Sequence, residues 1–138
     1  MSDTPELRML WASLALGLAQ LFAAMIAGLA SGRLMWNLGA RDEEGPKLGR
    51  IASRIERAWR NYLETFPLFG AVVLLAAALN KHNATTALGA DLYFYSRAVH
   101  VVLYAAGVPF IRTIIWTLSI VGIVLVLLGA WPGGFLAA

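Results

Sequence analysis

The feature that most constrains this chain is the stretch of residues 9–30, which contains no charged side chain. Coiled as a helix it extends about 33 Å at 1.5 Å per residue, enough to cross the roughly 30 Å hydrocarbon core of a bilayer. Residues 113–131 form a second uncharged run, and 59–79 and 88–107 are weaker segments of the same kind. The runs are continuous and do not alternate polar with apolar residues, which argues against the strands of a membrane β-barrel. Composition agrees, because 14% of the residues are charged against about 25% in an ordinary soluble domain.

These runs predict an all-α membrane protein, one domain over 1–138, built as a bundle of four transmembrane helices near 7–31, 50–79, 86–107 and 110–131. Pro5 and Glu6 suit the first turn of the first helix, where a missing N–H and a negative charge are both tolerated. Ser31 and Gly32 end it. Residues 33–49 hold Arg41, Asp42, Glu43, Glu44, Gly45, Pro46 and Lys47 and read as a loop. Pro109 marks a tight turn before the last helix, which Pro132, Gly133 and Gly134 close. The start of the chain does not read as a cleaved signal: Asp3, Glu6 and Arg8 do not make a positive region, and the apolar run exceeds the roughly 7–15 residues of a signal core. A retained helix is expected. Four spans place both termini on one side. Seven lysines and arginines fall between Arg33 and Arg60, against Arg8 and Lys81 on the other side, which predicts a cytoplasmic 33–49 loop with both termini opposite. The chain has no cysteine, so disulfides, iron–sulfur clusters and a protein thiol nucleophile are excluded. No metal centre and no nucleic-acid partner is expected.

The second predicted helix carries the polar chemistry. Its uninterrupted apolar part, 66–79, extends about 21 Å, short of the hydrocarbon thickness, so residues before it are drawn to membrane depth. Arg57, Arg60, Asn61 and Glu64 stand there at i, i+3, i+4 and i+7, and Arg50 and Arg54 extend the stripe on one helical face. Charges at that depth turn toward a bundle interior or a wet cavity. Arginine offers a planar fork to carboxylates and glutamate accepts from an ammonium or amide, so the stripe suits an anionic, polar ligand. Each arginine alone has a plainer reading: an intrahelical pair of Glu64 with Arg57 or Arg60, or headgroup contacts for Arg50 and Arg54. The third helix adds Tyr93, Arg97, His100 and Tyr104 on one stripe. An unpaired arginine at mid-span costs about 2.5–3.5 kcal/mol on insertion scales, so Arg97 needs a partner, and Glu64 is the expected one. Arg112, from the fourth helix, either anchors to headgroups or points into the same cluster.

Residues 54–67 resemble the second-helix signature of the MAPEG family (membrane-associated proteins in eicosanoid and glutathione metabolism), carried here by Arg57, Ala58, Asn61, Glu64 and Pro67. The likeness extends over nearly the whole chain through the four spans, the long first loop, and the Arg97–His100–Tyr104 and Pro109–Arg112 patterns. It implies a bacterial-type member in a bacterial inner membrane, assembled as a homotrimer among membrane lipids. Glutathione is the implied cosubstrate, held between subunits near the cytoplasmic side. By carry-over Arg54, Arg57, Arg60, Asn61, Glu64, Arg97, His100 and Tyr104 bind it, and Arg112 stabilises its thiolate. The implied activity is a glutathione transferase or peroxidase, or a related isomerase, acting on a lipophilic electrophile. Trp59 stands where many animal members have histidine, the turn before Arg112 differs by a residue, and Arg33 is the nearest match to a basic residue after the first helix. The alternative is a non-catalytic lipid- or ligand-binding scaffold of the same fold, since fold alone does not make an enzyme. A transporter subunit is a third reading, disfavoured because the charges gather at one end.

Overall fold

Helix formation starts at Thr4, whose Oγ1 accepts from the Leu7 amide at 3.4 Å. Pro5 takes the first helical position and Glu6 the first turn, as the orphaned amides and the dipole of a helix start favour. The computed structural model describes residues 3–133, so Gly134, expected to help close the last helix, lies outside the described residues. The first helix, α1, spans Pro5–Ala30. A short helix, α2, spans Leu34–Leu38, and three long ones follow: α3 at Arg50–Ala78, α4 at Ala84–Ala106 and α5 at Phe110–Gly129. The five-residue α2 lies inside the segment expected to be loop. A turn that short has little intrinsic helical stability and leaves no periodic signal in the sequence.

Three of the four long helices, α1, α3 and α5, are long and apolar enough to cross a membrane. The fourth, α4, is long enough but too polar by composition, because it carries Asp91, Ser96, Arg97 and His100 along with three tyrosines. Most of that polarity is turned inward: Ser96, Arg97, His100 and Tyr93 are buried, while Leu88, Val99 and Val102 are exposed. Exposed Trp11, Leu18, Phe22 and Ile26 on α1, with Ile114, Val121 and Val124 on α5, fit an apolar solvent around the bundle. The protein is therefore an integral membrane protein.

The core sits between α3, α4 and α5, where Phe69, Val73 and Ala76 meet Ala90 and Tyr93 and then Ile123 and Val126. Phe69 and Tyr93 stack with ring centroids 3.9 Å apart. The closest approach is between α4 and α5. A Cβ on Gly89 would lie 2.7 Å from the Gly122 carbonyl oxygen, and one on Gly122 would lie 2.7 Å from the Gly89 oxygen. Small residues let two backbones touch, which is how helices gain contact in lipid, where burying apolar surface provides no driving force. Helix α1 joins through Tyr62, whose hydroxyl donates to the Ser13 carbonyl at 2.6 Å beside the gap left by Gly17.

At the end of the bundle holding the N-terminus of α1, a polar knot ties three helices. Asn83 caps α4 in a reciprocal arrangement with Thr86, and its Nδ2 donates to the Gly129 carbonyl at 2.9 Å. Thr86 Oγ1 donates to the carboxylate of Glu6, which is 1% exposed, and His82 Nδ1 lies 3.2 Å from the same carboxylate. Glu6→Ala should destabilise the protein by about 1–3 kcal/mol, since it removes the acceptor for a buried hydroxyl. Thermal unfolding in detergent checks this, with Glu6→Gln expected to lose less.

Candidate functional site

Residues from α3, α4 and the first turns of α5 form a cleft at the other end of the bundle. Helix α4 ends at Gly107, whose φ of +81° makes the left-handed C-terminal turn that glycine adopts without strain. Two residues later Pro109 starts α5. This sharp reversal sets Arg112, in the first turn of α5, beside the last turns of α4. A cavity of about 220 Å³ opens there, lined by Asn61, His100, Tyr104, Arg112, Thr113 and Trp116.

The side chains around it are cationic and short of partners. Arg97 is fully buried and donates through Nη1 to Asn61 Oδ1 at 3.0 Å. Its guanidinium also lies 5.3 Å from the centre of the Tyr62 ring. Among the described residues its Nε and Nη2 have no hydrogen-bond partner, nor do His100 Nδ1 and Trp116 Nε1. Buried polar atoms are nearly always bonded, so unmatched ones on His100 and Trp116, which line the cleft, and on Arg97 behind Asn61 are a chemical signal; Ser13 Oγ and Gln20 Oε1 on α1 are unmatched as well. Arg112 rests its guanidinium 4.5 Å from the centre of the Tyr104 ring, a cation–π contact. His100 meets the same ring edge-on at 5.6 Å. Among the described residues neither Arg97 nor Arg112 forms an ion pair.

The nine residues singled out from the sequence do not all meet here. Asn61, His100, Tyr104 and Arg112 line the cavity, and Arg97 lies behind Asn61. Glu64 is not the direct partner of Arg97. Asn61 stands between them, accepting from Arg97 on one side and donating Nδ2 to Glu64 Oε2 at 3.1 Å on the other. The amide fits at that position because Asn61 is at the edge of the buried face, whereas Glu64 is exposed. Arg60 pairs with Glu56, one turn back, at 2.6 Å, and not with Glu64. Arg57 is exposed and reaches Ser53 Oγ at 3.4 Å. Arg54 reaches the Ala105 carbonyl at 3.4 Å and lies across Gly107, where a Cβ would meet its guanidinium at 2.5 Å. These three arginines do not line the cavity of the single chain. Thr113 and Trp116 line it and were not anticipated. Trp116 stands four residues on from Arg112 along the same helix, a spacing that could have found it; Thr113, the next residue in the chain, carries no such signal.

Of the comparisons with known proteins, one finds a match, and it concerns the chain as a whole. No curated protein and no solved structure matches the sequence. The model of the MAPEG family matches residues 9–131, a stretch that holds every residue of the cleft. The chain is a member of the MAPEG family.

Proposed function

We propose that this protein is a glutathione-dependent transferase or peroxidase acting on lipophilic electrophiles, with Arg112 stabilising the glutathione thiolate. The observation that carries the reading is the set of buried polar atoms on His100 and Trp116, which line the cleft, and on Arg97 behind it, that have no partner among the described residues. Family membership points the same way, because the family is associated with glutathione chemistry in membranes. The peptide is anionic and rich in acceptors, the complement of two guanidiniums with no carboxylate partner.

Each residue then has a task. Arg97 and Asn61 hold polar groups of the peptide, and Glu64, bonded to Asn61, accepts from its ammonium. A free thiol has a pKa near 8.5 and stays mostly protonated at neutral pH, and a nearby cation shifts it toward thiolate. Arg112 supplies that cation at a helix N-terminus, where the dipole also favours negative charge. With a chloronitrobenzene as electrophile, the thiolate sulfur bonds to the ring carbon, the carbon–chlorine bond breaks, chloride leaves and the thiol proton goes to solvent.

The homotrimer that family membership implies is compatible with the size of the cleft. A cavity of about 150 Å³ holds benzene, and a tripeptide is several times larger, so 220 Å³ accommodates only part of it. A neighbouring subunit of a homotrimer would enclose the rest and cover Arg57, Arg60 and Glu64 on the exposed flank of α3. Helix α4 serves as the fourth span, its buried polar face turned to its neighbours. The positive-inside rule puts 33–49 in the cytoplasm of a bacterial inner membrane with both termini opposite.

The test is conjugation of glutathione to 1-chloro-2,4-dinitrobenzene by the purified protein, beside calorimetry of glutathione binding. Turnover with binding supports the transferase, and binding without turnover on any electrophile supports the scaffold. Tyr104→Leu should lower turnover about tenfold, in line with a cation–π contact of about 1–2 kcal/mol, while Tyr104→Phe keeps the ring and most of the rate.

A further inference from the structure

The short helix α2 is unexplained by the cleft. Its position is set by the end of a membrane span. Helix α1 stops at Ala30, Gly32 takes a φ of +77°, and the Arg33 amide donates back to the Gly28 carbonyl at 3.2 Å. The three residues between the helices reach at most about 15 Å, and that turn holds them shorter. Helix α2 therefore starts close to the end of α1.

One side of α2 is fastened to the protein. The Trp36 indole N–H donates to the Glu43 carbonyl at 2.7 Å. Its ring has the guanidiniums of Arg33 and Arg41 at 5.6 and 5.5 Å from its centre, and Gly45 packs so tightly on it that a Cβ there would come within 2.8 Å. Arg33 also donates to the Pro46 carbonyl at 2.9 Å and pairs with Glu56 of α3 at 3.4 Å. The opposite side is apolar and bare: Leu34, Met35 and Leu38 are 51, 77 and 75% exposed. These three stand at i, i+1 and i+4, a single helical face. Arg41, Lys47 and Arg50 are exposed close by in the chain, as are Asp42, Glu43 and Glu44.

We propose that α2 is an interfacial helix that lies on the bilayer where α1 emerges. Leu34, Met35 and Leu38 enter the acyl boundary, Lys47 and Arg50 sit over acidic phospholipid headgroups, and the three acids face water. The occupant is lipid because the bare face is continuous with a membrane span and flanked by cations. An amphipathic turn of this kind buries its apolar side at the headgroup boundary, and cations near it in the chain favour acidic headgroups. Through Arg33 and Glu56, which also holds Arg60, the seated helix steadies the arginine-bearing start of α3.

The absence of cysteine permits a clean test. Single variants Met35→Cys, Leu38→Cys, Asp42→Cys and Glu44→Cys of the full chain are spin-labelled and reconstituted in vesicles of phosphatidylcholine, or of an equimolar mixture with phosphatidylglycerol. Labels at 35 and 38 should collide more with oxygen than with a water-soluble nickel chelate, and labels at 42 and 44 the reverse. The phosphatidylglycerol mixture should move 35 and 38 deeper, and Lys47→Glu should reduce that shift. Nickel accessibility at 35 and 38 equal to that at 42 would overturn the proposal. Shielding of 35 and 38 from both collision partners would overturn it too, by showing protein, such as a second copy, on that face. The labelled positions are on exposed side chains, and a wild-type elution volume in detergent shows that each variant is folded.

Discussion

Replacing Arg112 with alanine is expected to lower the turnover of glutathione conjugation by about 10²–10³-fold, the usual loss when one group aimed at developing or stored negative charge is removed. Glutathione affinity should change far less, because Asn61, Arg97 and the α3 flank retain the rest of the peptide. The separation is the informative part. Arg112 lies in the first turn of α5, held against Tyr104, and has no ion pair among the described residues. Removing it should therefore leave the fold intact, and the melting temperature should stay near that of the native protein. Arg112→Lys keeps the charge but loses the planar fork and its stacking on Tyr104, so an intermediate rate is expected. Steady-state kinetics beside calorimetry separates the two effects. Unchanged turnover in Arg112→Ala would assign thiolate stabilisation elsewhere, and Arg97 would be the next candidate.

The second large effect is structural. Gly122→Leu should destabilise the protein by about 3 kcal/mol or more, at the upper end of overpacking penalties, and should impair assembly in detergent. The reason is that the obstacle is backbone. A Cβ at Gly122 meets the Gly89 oxygen and the Tyr93 nitrogen, both at 2.7 Å, and neither can rotate away as a side chain would. Helices α4 and α5 would have to separate, pulling Phe69 off Tyr93 and opening the cleft that the two helices share. Gly28→Leu is the control, because a Cβ there meets nothing within 4 Å. Circular dichroism during thermal unfolding in detergent distinguishes the pair.

Parts of the molecule were legible from residue order, and the reasons for the misses are physical. The run at 9–30 states its own structure, since uncharged helices of that length have one stable environment. The stripe Arg97, His100, Tyr104 was readable because helical period alone puts those side chains together, and Arg112 follows them through a turn short enough to leave little choice. Partners were harder. Glu64 seemed the natural counter-charge for Arg97 because opposite charges attract at any distance, but hydrogen bonding is directional and the depth of the Asn61 amide decided it. Likewise Arg60 could pair forward to Glu64 or back to Glu56 with equal spacing; an acid placed before the base is the better order, and Glu56 also pairs with Arg33 of the loop. The knot of Glu6, His82 and Thr86 joins residues about eighty positions apart. No local pattern announces such a contact, because it exists only once α1 lies against α4.

The most direct measurement is a structure of the assembled protein in lipid or detergent with glutathione bound. The tripeptide is predicted in the cleft of α3, α4 and α5, its sulfur nearest the Arg112 guanidinium and its polar groups on Asn61 and Arg97, with a neighbouring subunit closing the open side. Glutathione bound away from these residues, or absent at saturating concentration while Arg97 and His100 find their partners inside the protein, would contradict it.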